Sequence, residues 1–308
     1  MKTTTPEPFR HVLVALDLTE MDDTLIRYAD MVAKLLPIER IFFVYVAKNL
    51  ELPPDLLEEY PDLMAPLDES IQVDLQKKVN DLFTTTSVEV SCIVEEGNAI
   101  EKVLKLCKIK HIDLILMGRK KSLKGSGIVS SKIARRCPCS LLLVTENFSP
   151  NISKVLVPVD FSGHAAHAMQ RASEFATPAS AELMMMHIFD VPVGYYKTGK
   201  SHEEFARIMQ SHAEKDCQKF LKKNQFPADV ACEYEVSDDG KAADMIYHHA
   251  EESGVDLIVL GSKGRTALSA ILMGSVAEKL VYRDSGIPVL IVKNKGENMG
   301  FINALLKI

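Results

Sequence analysis

Two apolar patterns alternate along the chain. Short runs that are apolar at successive positions, such as Ile41-Phe42-Phe43-Val44-Tyr45-Val46, are separated by segments whose apolar residues recur at i, i+3, i+4 and i+7. Ala165, Ala168, Met169, Ala172, Phe175 and Ala176 make one such helical face, and Leu25, Ala29, Val32, Ala33 and Leu36 another. A strand without polar alternation is one buried on both faces, so the order strand, helix, strand predicts a parallel sheet covered by helices on both sides. Strands are expected near 10–16, 39–46, 87–94, 112–117 and 140–144, and again near 153–159, 181–188, 229–236, 255–260 and 287–292.

The second set of strands repeats the first. His11-Val12-Leu13-Val14-Ala15-Leu16-Asp17 recurs as Lys154-Val155-Leu156-Val157-Pro158-Val159-Asp160, and Ile112-Asp113-Leu114 to Gly118 recurs as Val255-Asp256-Leu257 to Gly261, both at an offset of 143 residues. Turn residues at Asn147-Phe148-Ser149-Pro150-Asn151 mark the join. The expected domains are therefore 1–147 and 151–295, followed by a tail at 296–308 with Phe301, Ile302, Leu305 and Leu306 on one helical face. Thr19 and Ser162 stand where helix N-caps belong. The Pro-containing stretches Lys48 to Pro66 and Asp190 to Ser201 are expected to be flaps over a site.

Candidate chemistry concentrates in one loop. Gly261-Ser262-Lys263-Gly264 follows a strand, and after nine residues Gly274-Ser275-Val276 opens a helix. Glycines allow the backbone to approach an anion, and the N–H groups of a helix start carry partial positive charge, so this spacing in this context points to a phosphate cradle. A structural turn with a glycine at each bend is the simpler alternative. Asp160, at the end of the preceding strand set, fits either a ligand contact or a turn.

Composition narrows the field. The 308 residues carry a net charge of -6 with pI near 5.9, which gives no global case for nucleic acid. There is no apolar run near the roughly 20 residues a membrane span needs and no secretory pattern at the start, so the chain reads as cytoplasmic, without membrane contact. Six cysteines in a chain of this length are expected as buried free thiols, the Cys137-Pro138-Cys139 pair included.

Together, the strand ending in Asp160, the Gly261-x2-Gly264-x9-Gly274-Ser275 loop and the final strand Pro288 to Val292 resemble the universal stress protein (UspA) family in its tandem two-domain form. The resemblance spans about Phe9 to Val292. It implies an α/β fold of two repeated five-stranded parallel-sheet sandwiches, Rossmann-like and of the adenine nucleotide alpha-hydrolase type. It also implies a stress-response sensor or regulator that binds an adenine nucleotide, ATP first and ADP or AMP otherwise, with Mg2+ as a companion. On that reading Pro158 and Asp160 lie by adenine and ribose, His187 or Ile188 closes on the base, and Leu260 and Gly261 line the nucleoside. Gly264, Gly274, Ser275 and Val276 serve the phosphates, with charge from Lys263 and Arg265. The family further implies an internal pseudo-dimer through Leu141 to Val144 and Val289 to Val292, compatible with a homodimer and with a protein partner that the sequence does not name.

The first half departs from this pattern. Lys121 stands at the second glycine, four residues are missing before Gly127, and Ile128 replaces the serine. This half is either a structural partner or a site for another ligand. Its basic residues Arg119, Lys120, Lys121, Lys124, Arg135 and Arg136 read as a solvated loop or as an anion contact. A Ser-His-Asp order, paired carboxylates with a task and a Walker-type Gly-Lys-Ser/Thr are all missing from the sequence, so at most slow ATP hydrolysis is expected. The alternatives are a nucleotide-using transferase or ligase and a ligand-free interaction scaffold.

Overall fold

The computed structural model describes residues 7–50, 67–119, 127–147, 149–237, 241–264, 273–283 and 286–295. The chain divides into two compact units, Pro8–Pro150 with Asn294 and Lys295, and Asn151–Lys293 with Glu7. The predicted tail at 296–308 and most of the first flap lie outside the described residues.

The first unit runs β1 (His11–Leu16), α1 (Met21–Leu35), β2 (Arg40–Ala47), α2 (Leu67–Leu82), β3 (Glu89–Glu96), α3 (Ala99–Ile109), β4 (Leu114–Arg119), α4 (Gly127–Arg136) and β5 (Ser140–Thr145). Its parallel strands lie in the order β3-β2-β1-β4-β5. The second unit runs β6 (Lys154–Pro158), α5 (Gly163–Ala179), β7 (Glu182–Phe189), a 3₁₀ turn at Val193–Thr198, α6 (His202–Asn224), β8 (Ala231–Val236), α7 (Ala242–Glu252), β9 (Leu257–Gly261), α8 (Ser275–Tyr282) and β10 (Val289–Val292). The order β8-β7-β6-β9-β10 repeats the first. Both units are thus α/β sheets, and in each the direction of strand addition reverses between the first and fourth strands. Open parallel sheets form their binding crevice at that reversal, beyond the carboxyl ends of the strands.

Local chemistry explains the joints. In each unit an aspartate just before the fourth strand ties down the start of the first: Asp113 Oδ2 accepts the N–H groups of Arg10 and His11 at 3.0 and 2.9 Å, and Asp256 Oδ2 accepts those of Ser153 and Lys154 at 2.7 and 3.0 Å. Ser162 caps α5 as expected, its Oγ accepting the Ala165 N–H at 3.2 Å. Thr19 also serves the start of α1: its Oγ1 accepts the Met21 N–H at 3.3 Å and its carbonyl accepts the Asp22 N–H at 3.0 Å. The helix begins after Glu20, and the buried Asp22 reaches back to accept the N–H groups of Asp17 and Leu18 at 3.0 and 2.9 Å. Burial pushes the Asp22 carboxyl up in spite of these two bonds.

Two positions set testable limits on this packing. Gly261 ends β9 against the start of α5, where an added Cβ would sit 3.0 to 3.1 Å from backbone and Cβ atoms of His164. Gly163, at the start of the same helix, has open space around it. Gly261→Ala is expected to lower stability in urea by about 1–3 kcal/mol, because backbone cannot yield cheaply. Gly163→Ala is expected to be neutral or to raise it by about 0.5 kcal/mol.

Asp30 on α1 is buried, and burial alone would raise its carboxyl. Hydrogen bonds from Lys34, Thr85 and Thr84 outweigh that and hold it at about 2. A depressed carboxyl stabilises the fold above its unfolded value and loses that contribution as pH falls through the folded one. Asp30→Asn is therefore expected to cost about 2 kcal/mol near neutral pH, the deficit shrinking between about pH 4 and pH 2. Urea titrations across that range measure it.

Candidate functional site

The crevice of the second unit is opened by its own sequence. In the first unit β1 and β4 pair from Val12↔Leu114 to Ala15↔Met117, but in the second β6 and β9 pair only at Val155↔Leu257 and Leu156↔Ile258. The residue matching Ala15 is Pro158, which has no N–H to offer a neighbouring strand. The ladder stops short, and the strands part where the crevice begins.

Beyond Pro158 the chain turns sharply. Phe161 has a φ of 62°, left-handed backbone that a bulky residue adopts only when its surroundings enforce it. The enforcement is local: Asp160 Oδ1 accepts the Ser162 N–H at 3.0 Å, an Asx turn. The first unit makes the same turn, with Leu18 at 59° and Asp17 Oδ1 accepting from Thr19 N–H at 3.2 Å and Oγ1 at 2.5 Å. Asp160 is therefore a turn residue through one oxygen. The other faces the loop: a Cβ added to Gly264 would lie 3.0 Å from Asp160 Oδ2. Asp160 and Gly264, 104 positions apart in the chain, meet across the crevice.

The two ends of the glycine loop are pinned together. Ser262 is buried, its N–H donating to the Val292 carbonyl at 2.9 Å, and its own carbonyl accepts the Gly274 N–H at 2.7 Å. A Cβ on Gly274 would stand 3.6 Å from Gly264 N, so the second and third glycines are neighbours. The Gly274 N–H is spent on this closure, which corrects its expected part as a phosphate donor. The donors left at this end are those of α8. The first-turn N–H groups of Ser275, Val276 and Ala277 have no intrahelical acceptor, by the geometry of any α-helix, and no side chain caps them among the described residues. Ser275 is exposed and Val276 half-buried. Arg265 lies outside the described residues.

His187 and Ile188 separate. The His187 ring is 5% exposed, its Nδ1 lies 2.7 Å from the Val159 carbonyl, and it stacks on Phe161 at 4.3 Å between ring centres. A carbonyl only accepts, so Nδ1 carries the proton and donates. His187 thus buttresses the Asp160 turn from within an aromatic cluster that includes Phe220 and Tyr234. Ile188 is half-buried, and successive side chains of a strand point to opposite faces. Of the two, Ile188 is the one directed away from that cluster. Leu260 is buried and Gly261 is half-buried against α5.

Other candidates fare plainly. Cys137 and Cys139 are buried free thiols. His248 pairs with Glu252 at 3.2 Å and His249 with Glu235 at 3.8 Å, so the adjacent histidines serve different neighbours. Arg119 is buried at the end of β4 rather than solvated, Arg135 and Arg136 are exposed, and Lys120, Lys121 and Lys124 lie outside the described residues. Among the described residues no helix is long and apolar enough to cross a membrane. Phe161 and Ser262 are the contributors that sequence reasoning missed. An Asp-x-Ser turn directly after a strand is the signal for the first, and a polar residue between two site glycines the signal for the second.

Comparison of the chain with known proteins points to one family. The universal stress protein family profile matches residues 8–145 and again 151–293. A universal stress protein of Methanocaldococcus jannaschii is 32% identical over 157 residues, covering 46% of this chain and 95% of that protein. Universal stress protein YxiE of Bacillus subtilis is 33% identical over 147 residues, covering 46% of this chain and 99% of its own length. A functionally unknown protein from Pseudomonas aeruginosa shares the fold over 97% of each chain, with a TM-score of 0.71 at 17% identity. With the family's domain matched twice across nearly the whole length, the chain belongs to the universal stress protein family.

Proposed function

We propose that the second unit binds an adenine nucleotide, ATP in the first place, and that the protein acts as a nucleotide-responsive regulator of a stress response rather than as a metabolic enzyme. The observation that carries this reading is the meeting of Asp160 with Gly264 at the open start of α8. A Cβ at Gly264 would stand 3.0 Å from the carboxylate, which would have to give way by a few tenths of an ångström.

The residues fit such a ligand in kind. Asp160 Oδ2 is an acceptor suited to ribose hydroxyls, and the apolar Ile188 and Pro158 suit the base. The N–H groups of Ser275 and Val276, with the Ser275 hydroxyl and Lys263, suit phosphate oxygens. Gly274 holds the two ends of the loop together through Ser262, which supports this reading. When bound, Mg2+ would neutralise part of the phosphate charge.

Native mass spectrometry of the purified full chain, followed by calorimetric titration with ATP, ADP and AMP, is the direct test. One adenine nucleotide per chain is expected. Gly264→Val should weaken ATP by about tenfold or more while the urea midpoint holds, and Ser275→Ala should weaken ATP more than AMP, by about threefold to tenfold. Failure to retain or take up any nucleotide would sink the reading in favour of a scaffold. Wild-type affinity in Gly264→Val would remove the loop from the site, and turnover of ATP with a defined acceptor would favour the transferase.

A further inference from the structure

The same crevice in the first unit has become something else. Beyond the carboxyl ends of β1, β2 and β4 lies a cavity of about 290 Å³. Its floor is formed by Leu25, Val44, Val103 and Ile133, each 2% exposed or less, and its rim by half-buried Tyr45 and Ala99 and exposed Val129. The side chains that line it are aliphatic, aromatic or thioether apart from Asp17 and Ser130.

At equivalent positions the two crevices keep the aspartate, Asp17 for Asp160, but differ around it. Val44 takes the place of His187, and Ala15 that of Pro158. Met21 stands where the second unit has His164, and a Cβ on Gly118 would meet Met21 Cγ at 2.7 Å, so the methionine side chain forms the wall beside the strand end. Among the described residues the lining is apolar apart from Ser130 and the anionic Asp17, which lies five residues before the buried Asp22. A charged group placed against these apolar walls would lose its hydration. An uncharged apolar molecule escapes that loss, and the volume is of the size that small-ligand pockets begin at, about 300 Å³. Apolar cavities of this kind hold water poorly and accept apolar guests.

We infer that the first unit binds a small, uncharged, predominantly apolar molecule in this cavity, so that the protein joins an apolar-ligand site to its other domain. The inference stands on the first unit alone and does not require a nucleotide in the second.

Two fluorescent probes that share a ring skeleton test it on the full chain: uncharged N-phenylnaphthylamine and its sulfonated counterpart, anilinonaphthalene sulfonate. Saturable binding of the uncharged probe is expected, with the sulfonate weaker by about tenfold or more and with excess ATP leaving the uncharged probe in place. Ala99→Trp fills the cavity from the rim and Ser130→Leu fills it from α4, and each should weaken the uncharged probe by about tenfold at an unchanged urea midpoint. Two filling variants from different helices guard against a folding defect in one. The inference is overturned if the uncharged probe does not bind, if both filled variants bind it as the wild type does, if the sulfonate binds equally well, or if ATP displaces the uncharged probe.

Discussion

The turn that follows the first strand of each unit is the constraint on which the site geometry rests. A parallel strand must hand the chain to a helix on the sheet's face, and here it does so through one residue held in left-handed backbone, Leu18 or Phe161. That conformation is costly for a residue with a branched or aromatic side chain, and the preceding aspartate offsets the cost by accepting the N–H two residues on. The consequence is geometric. With one carboxylate oxygen held by the turn, the other is directed across the crevice. In the second unit it meets Gly264, and the aromatic stack of Phe161 on His187 keeps the turn from relaxing.

From this shared frame the two units diverge by small substitutions at equivalent points. Pro158 ends the β6 ladder early and parts the strands, whereas Ala15 lets β1 and β4 stay paired two residues further. Gly261 lies against helix backbone, whereas Gly118 lies against the flexible side chain of Met21. The early end of the β6 ladder in one unit and the methionine wall of the apolar cavity in the other follow from those differences. A duplicated sheet is a tolerant host for such divergence, because its core residues face the helices while the crevice residues sit at strand ends and loops.

Family membership sets the frame without deciding the ligand. The relatives at about one-third identity each align with a single-domain length of this chain, so they speak to one domain's architecture. What a given copy binds depends on a handful of groups at the strand ends, and within this one chain those groups differ between the copies.

The sequence by itself determined the architecture. Unbroken apolar runs meant strands buried on both faces, 3.6-residue spacing meant covering helices, and the offset of 143 residues meant two copies. The glycine spacing after a strand also singled out the loop, and the shortened loop at Gly118 to Gly127 marked the first copy as different. These features were legible because they depend on residues near one another in the chain. Tertiary structure alone decided that Gly274 closes the loop through Ser262, that His187 supports the turn from a buried aromatic cluster, and that Asp160 faces Gly264. It also showed that the altered first crevice encloses an apolar volume. Each of these joins strand ends from distant parts of the chain, and only the folded sheet fixes which groups meet there.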